Sequence, residues 1–406
     1  MIDLLIYIKP RLEPKEILEK LTTLPPELEG VIGSKSIRLS KLQNIYNVFI
    51  PLPIAVETYY KLYESLVRAI KKKMLPIINK QQIENYKAIK GKELSGIMGG
   101  VDSISIIGNS GTGKTTTISR VVSLMTNEDI ISFSKPYKVT IIPCLIVNCP
   151  FDSSVKTLMV EIMRMVDNKI GSNYYEGTVR TTTTTGMLIA AVSNILINHV
   201  GLLIIDEYQN VIKSRNGINL VGALTQLVNS CGVSIVMVAN PEIKPFIEQD
   251  LKMSRRSIGL EYKPLNYDDT YFGFVKQLLS YQFTLKKVEI TKGLLETIYE
   301  GTGGIPALIV SLIHDAQEKA IIDDLDAVSV STILDVLKER YTIIQSTIET
   351  SPRKPSKGQK KHIETIDYTS NEVIDEKVIE NAVKNSKKNI SAAIDLLKKQ
   401  IEVIEL

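Results

Sequence analysis

The sequence predicts an α/β fold: a mostly parallel sheet with helices on both faces, joined to a small all-helical lid, a helical N-terminal region and a flexible C-terminal tail. Three observations lead there. From about Gly96 to Leu265, short β-rich apolar runs alternate with helical stretches, the pattern of parallel strands joined by crossover helices. On either side the periodicity is helical alone. Beyond Tyr341 comes a basic, proline-bearing stretch that cannot bury a core. The expected divisions are residues 1–95, 96–265, 266–345 and 346–406.

In chain order, an irregular stretch around Pro25-Pro26 and Gly30–Gly33 precedes a helix whose apolar positions Val56, Tyr59, Tyr63, Leu66 and Ile70 step by three and four. Pro51, Pro53 and Pro76 bracket it. Strands are expected at Ser103–Ile107, Val139–Asn148, Gly201–Asp206 and Val233–Asn240, with a helix over Thr116–Met125. Three of these strands end in polar residues, and in such sheets ligands bind at the carboxyl ends of the strands. The helical pattern from about Leu265 to Tyr341 is broken at Gly301–Pro306. Thr350–Lys361 carries two prolines, a glycine and five Lys or Arg, a linker composition. Past it, Ile390, Ile394, Leu397, Ile401 and Ile404 recur at helical spacing. That final stripe has two open destinations, the chain's own lid or the groove of a partner.

At 406 residues and 44% hydrophobic content the chain can form two or three packed domains, and its net charge of +4 gives no whole-molecule attraction to nucleic acid. Cys144, Cys149 and Cys231 are too few for a disulfide framework and lack zinc-finger companions, so they read as reduced core thiols. His199, His314 and His362 are scattered and suggest no metal cluster. No apolar run reaches membrane-spanning length, and Met1–Tyr7 meets Lys9-Pro10-Arg11 too soon for a secretory start. A cytoplasmic protein without membrane contact is expected.

The chemistry lies at the strand ends. Gly108-Asn109-Ser110-Gly111-Thr112-Gly113-Lys114-Thr115 matches G-x-x-x-x-G-K-[ST] in full, after a strand and before the helical run that Thr116 opens. Glycines let backbone N–H groups curl round a β-phosphate and the helix N-terminus adds partial positive charge. Lys114 would bridge β and γ oxygens, and the Thr115 hydroxyl would ligate Mg²⁺, which makes Mg·ATP the expected ligand. Leu202–Glu207 is a buried-strand run ending in two acids: Asp206 would hold the Mg²⁺ shell and Glu207 would polarise the attacking water. Asn240, at the end of a fourth apolar run, can hold the lytic water or a γ-phosphate oxygen. An Asn-Pro turn with Pro241 explains it as well, and both readings stand at this level.

These residues resemble the AAA+ regulators of DNA transposition called TnsC or TniB, within the broader class of helicase loaders and origin-recognition ATPases. The resemblance spans roughly Lys35 to Tyr341 and rests on GNSGTGKTT, LLIIDEYQN, VMVANPEI and the pair after Ser254. The Tyr-Gln-Asn after Glu207 and the aromatic-proline turn leading into a long helix within Arg38–Lys73 point to the transposition branch. The resemblance implies an AAA+ core, with Arg255 or Arg256 as the finger that reaches the γ-phosphate of a neighbouring subunit. Surface or DNA-phosphate arginines are the other reading. It also implies that Lys156, Lys169 and Arg180 line a DNA-facing pore; a solvated face accounts for the same lysines. Ala307 departs from the class, since many relatives place a sensor arginine there.

What the resemblance implies is an ATP-bound homo-oligomer, ring or filament, that assembles on duplex DNA, links a target-selection protein to transposase subunits and resets by slow ATP hydrolysis. A STAND-like signalling ATPase without a DNA role, and a helicase-loader-type ATPase, are the alternatives.

Overall fold

The computed structural model describes residues 8–25, 33–73, 75–96, 103–126, 130–133, 139–180, 182–213, 217–245 and 257–341. Arg255, Arg256 and the expected linker and C-terminal helix lie outside the described residues.

Five helical pieces precede the sheet: α1 (Pro14–Leu21), α2 (Lys35–Leu42), a 3₁₀ turn (Gln43–Asn47), α3 (Ile54–Lys73) and α4 (Ile77–Ile89). Then come β1 (Ser103–Gly108), α5 (Lys114–Met125), β2 (Ile131–Phe133), β3 (Val139–Asn148), α6 (Val155–Ile170), α7 (Tyr174–Thr178) and α8 (Thr185–His199). They are followed by β4 (Val200–Asp206), α9 (Asn210–Lys213), α10 (Gly217–Cys231), β5 (Ser234–Ala239) and β6 (Ser257–Tyr262). The lid contains α11 (Asp269–Leu278), α12 (Lys292–Thr302), α13 (Pro306–Ile322) and α14 (Val330–Arg340).

The six strands run β2-β3-β4-β5-β1-β6 across the sheet. Every neighbouring pair is parallel except β2 with β3. The mostly parallel sheet with helices on both faces is therefore present. Two edge strands, β2 and β6, fall outside the four apolar runs. β6 alternates Ser257, Gly259 and Glu261 with Ile258, Leu260 and Tyr262 because a strand with one buried face needs only period-two patterning. Next to such an edge, continuous apolar runs mark the central strands better than the outer ones.

The period of two also divides the core. Leu203 and Ile205 of β4, with Ile235 and Met237 of β5, face α6, α8 and α10. Leu202 and Ile204, with Val236, Val238, Ile104 and Ile106, face α1, α3 and α5. The helices before β1 distribute over these surfaces. α1 and α3 cover one face of the sheet and Ile78 of α4 joins the other, while Ile45 and Leu42 pack into the lid. In α3, Tyr59, Leu62, Leu66 and Ile70 have no exposed area. At about 1.5–3 kcal/mol for each such side chain, this face contributes on the order of the whole net stability of a domain. The N-terminal helices are consequently part of what holds the sheet.

Two polar groups inside, Tyr262 and His199, are partnered in ways that fix elements to one another. Tyr262, at the end of β6, shares a 2.7 Å hydrogen bond with Thr58 of α3, and burial pushes its phenol up to about 12. His199 meets the Thr140 carbonyl at Nδ1 and the Tyr174 hydroxyl at Nε2, 2.7 Å each. Burial lowers its pKa, so the neutral ring donates to the carbonyl and accepts from the phenol. All three cysteines are free and buried; burial raises Cys149 to about 12 and Cys231 to about 11. Unreactive core thiols fit these positions. Among the described residues no cluster of His, Cys, Asp and Glu could hold a metal by itself, and no helix is long and apolar enough to cross a membrane.

Candidate active site

The loop after β1 is shaped by close approach. A Cβ on Gly108 would stand 2.4 Å from the carbonyl oxygen of Tyr262 on β6. Gly111 and Gly113 have φ of +81° and +89°, in the left-handed region that side chains disfavour. The loop therefore turns back over its strand and delivers Lys114 as the first residue of α5, whose uncapped N-terminal turn lines the cleft. Thr112 closes the turn by donating from Oγ1 to the Asn109 carbonyl at 2.7 Å.

Lys114 donates from Nζ to the carbonyls of Gly108 (2.6 Å) and Asn109 (2.9 Å) and lies 3.4 Å from Asn240 Oδ1. Burial lowers its pKa, while Asp206 and Glu207 act in the opposite direction. Such a cation is held ready for an anion stronger than carbonyl dipoles. Thr115 Oγ1 donates to Asp206 Oδ2 at 2.7 Å. That separation is near the roughly 3 Å edge of an octahedron of oxygens at about 2.1 Å, so this hydroxyl and carboxylate fit a shared Mg²⁺ shell.

Strand β4 ends at Asp206, which is 6% exposed. Its backbone carbonyl accepts from Cys149 N–H, and its Oδ1 accepts from Glu207 N–H, both at 2.7 Å. Glu207 turns out of the strand at φ +55°, a rare conformation for a residue with a side chain. Strain of this kind persists where neighbours fix the backbone. Here the Tyr208 N–H donates to Val238 O at 2.9 Å, and Asn210 bonds the carbonyl of Cys149 at 3.0 Å. Glu207 thereby stays exposed in the cleft. Asn240 lies at the start of a 3₁₀ turn with Pro241, and its side-chain Oδ1 lies 3.4 Å from Lys114 Nζ at the edge of the cleft.

The other end of the cleft comes from distant segments. The cavity has a volume of about 430 Å³, in the range of a small-molecule site. Its apolar walls are Val48, Phe49, Ile50 and Leu52 from the segment before α3, with Phe274 and Val310 from the lid. Arg120 stacks over Phe49 at 4.3 Å from the ring centre and holds that wall in place. The lid is seated by backbone: the Ala307 N–H donates to Gly111 O at 3.1 Å. Gly304, at φ +73°, lies so near Leu265 that a Cβ would approach its carbonyl oxygen to 2.2 Å. Where a cationic side chain was the class expectation, Ala307 lets the start of α13 touch the P-loop directly.

The structure thus brings Gly108–Thr117, Asp206, Glu207 and Asn240 together. Lys156, exposed in the first turn of α6, and Lys169, in its last turn, are separated by about 20 Å of helix. Arg180 is exposed beyond α7, where its backbone N–H donates to Thr183 Oγ1. These three form no single patch around the cleft. Two contributors escaped the sequence reading, the Val48–Leu52 wall and the amide of Gln209 beside Glu207. The apolar-proline run before α3 and the polar residue two positions after Glu207 were their only signals.

Residues 99–247 match the AAA domain family. No curated protein sequence matches the chain. Among solved structures, Drosophila ORC bound to DNA aligns at 14% identity and a TM-score of 0.42, covering 80% of this chain and 71% of that one. The Aeropyrum pernix ORC1 protein in complex with DNA aligns at 15% identity and a TM-score of 0.40, covering 64% of each chain. The Thermotoga maritima RuvB Holliday junction branch migration motor aligns at 14% and 0.34, covering 64% of this chain and 67% of that one. The alignments span 66% and 64% of the Aeropyrum pernix ORC2 and ORC1 chains, just under two thirds of each.

Proposed function

We propose that this chain, which carries an AAA domain on a P-loop fold, is an ATPase that binds Mg·ATP in the cleft between sheet, lid and N-terminal segment and hydrolyses it. The observation that carries this reading is the convergence at one cleft of Lys114, the Thr115–Asp206 oxygen pair and the exposed Glu207 carboxylate, opposite apolar walls that suit a purine. Lys114 exchanges its carbonyl partners for β and γ oxygens, and the N–H groups of Gly108–Thr115 surround the β-phosphate. Bound Mg²⁺ would supply charge neutralisation between the phosphates, held through Thr115 and Asp206. Glu207 takes the proton from water as the water oxygen bonds to γ-phosphorus. The bond from γ-phosphorus to the bridging oxygen breaks with its electron pair on ADP, and the proton leaves Glu207 for phosphate or solvent.

On the resemblance carried by the Tyr-Gln-Asn after Glu207 and by the aromatic-proline turn leading into a long helix within Arg38–Lys73, we assign this ATPase to the control of DNA transposition. In that role ATP-loaded subunits assemble on duplex DNA, and hydrolysis dismantles the assembly. Lys156, Lys169 and Arg180 are the proposed phosphate contacts, Arg255 and Arg256 the candidates for action on a neighbour's γ-phosphate, and a target-selection protein and a transposase the partners. The test is Glu207→Gln, imaged and sedimented with ATP in the presence and absence of duplex DNA. The reading expects retained ATP binding, hydrolysis reduced by about 10²-fold or more, and assemblies that form on DNA and persist. Wild-type turnover would remove Glu207 from the base role, and assembly indifferent to DNA at low salt would remove the transposition role.

A further inference from the structure

Gln209 is 5% exposed and lies between two strand ends, where both ends of its amide are used. Its Oε1 accepts from the backbone N–H of Asn240 at 3.2 Å, and its Nε2 donates to Glu207 Oε2. The orientation of the amide is set by chemistry: a backbone N–H can only donate, so the oxygen must face Asn240 and the nitrogen must face the carboxylate. The backbone beneath is fixed as well, since Asn210 N–H returns to the Glu207 carbonyl at 3.0 Å and Ser153 Oγ donates to the Asn210 carbonyl at 2.7 Å.

The contacts run in series, with Asn240 joined to Lys114 through its side chain and to Gln209 through its backbone N–H. Lys114 Nζ lies 3.4 Å from Asn240 Oδ1, Asn240 N–H reaches Gln209, and Gln209 reaches Glu207. The backbone at φ +55° turns Glu207 into the cleft, but an exposed side chain keeps rotamer freedom beyond that, so the carboxylate itself still needs a partner to aim it. The amide of Gln209 is what holds one carboxylate oxygen and leaves the other for a water. A proton-accepting carboxylate misplaced by about 1 Å can lose on the order of 10²-fold in rate.

We propose that Gln209 is a positioning residue for hydrolysis: with its amide oxygen fixed by the Asn240 N–H at the end of β5, its amide nitrogen aims the Glu207 carboxylate. This rests on the reading of Glu207 as the base. A Gln209 that merely filled the gap between β4 and β5 would affect folding or ATP affinity without changing how hydrolysis responds to pH.

The test compares wild type, Gln209→Glu and Gln209→Leu in the full chain with Mg·ATP, measuring kcat and KM from pH 5.5 to 8.5, ATP affinity by calorimetry and melting temperature. Glutamate keeps the acceptor for Asn240 N–H and the side-chain size, but when ionised it repels Glu207 and when protonated it can donate to it. Gln209→Glu should therefore lose about 10- to 100-fold in kcat at pH 8 with ATP affinity within about 3-fold of wild type. Its kcat relative to wild type should climb as pH falls. Gln209→Leu should lose kcat to a similar extent with no recovery in acid, which separates the amide's hydrogen bonds from its bulk. Wild-type kcat in both variants, a pH-independent ratio for Gln209→Glu, or losses matched by equal losses of affinity or melting temperature would overturn the inference. A wild-type protein that binds ATP and never hydrolyses it would overturn the Glu207 reading, and this inference with it, an outcome distinct from active variants.

Discussion

The two ends of the cleft are built in opposite ways. The phosphate end comes from one uninterrupted stretch, Gly108–Thr117, completed by side chains at the tips of β4 and β5. Its contacts are charges and hydrogen bonds within 2.6–3.4 Å. The apolar end comes from Val48–Leu52 and from Phe274 and Val310 of the lid, segments more than 200 residues apart that meet only because α2 and the 3₁₀ turn pack into the lid core. A chemical specification concentrated in ten consecutive residues serves the first, and tertiary packing serves the second. The difference implies that damage to the phosphate end should act on chemistry, whereas damage to the apolar end should act on which ligand is retained.

The largest effect expected is at the phosphate end. Lys114→Ala removes the main point charge that meets β and γ oxygens. Charge-assisted hydrogen bonds are worth about 1.5–3 kcal/mol each, so ATP affinity should fall by roughly 10²-fold or more in calorimetry, with an unchanged melting temperature in the absence of nucleotide. An equal loss of stability would show that the lysine's bonds to Gly108 and Asn109 carbonyls are structural first.

How much of this was visible beforehand follows the same division. GNSGTGKTT and the acids after Leu202–Ile205 were legible because neighbouring residues in sequence are neighbours at the site, so chemistry and spacing could be read together. The apolar runs mark β1, β3, β4 and β5, and the helical stretches between them give the parallel direction. Val310 could not be assigned, because an apolar residue on a helix faces a core or a cleft with the same periodicity. Val48–Leu52 could not be assigned for the same reason, its partners lying far along the chain. Gln209 stood within a motif already singled out, yet its role depends on Asn240, which only strand pairing brings alongside. β6 is not legible as an apolar run, because an edge strand needs half the apolar content of a central one.

A smaller effect is expected at the apolar end. Ile50→Ala should weaken ATP and ADP by a similar factor, about 5- to 10-fold for some 1 kcal/mol of lost apolar contact, and leave the affinity for tripolyphosphate unchanged. If tripolyphosphate weakened in parallel, the wall would be supporting the P-loop and the two ends would not be separable.

The smallest effect concerns pH. Burial lowers the pKa of Lys114 below the ordinary 10.5. In the proposed ATP site the charged form is the one that meets phosphate, so ATP affinity should decline with rising pH earlier than an ordinary lysine would allow, and the decline should vanish in Lys114→Arg. Measurement of ATP affinity across the alkaline range checks this, with ADP as a control that keeps the β-phosphate.

Hydrogen exchange on the full chain, compared with no ligand, with Mg·ATP and with Mg·tripolyphosphate, tests the division of the cleft most directly. Mg·ATP should slow exchange in the P-loop, in Tyr46–Leu52 and at the start of α13 together, whereas Mg·tripolyphosphate should slow the P-loop alone. Protection of all three segments by tripolyphosphate, or no protection of Tyr46–Leu52 by ATP, would contradict a cleft with a phosphate end and a base end.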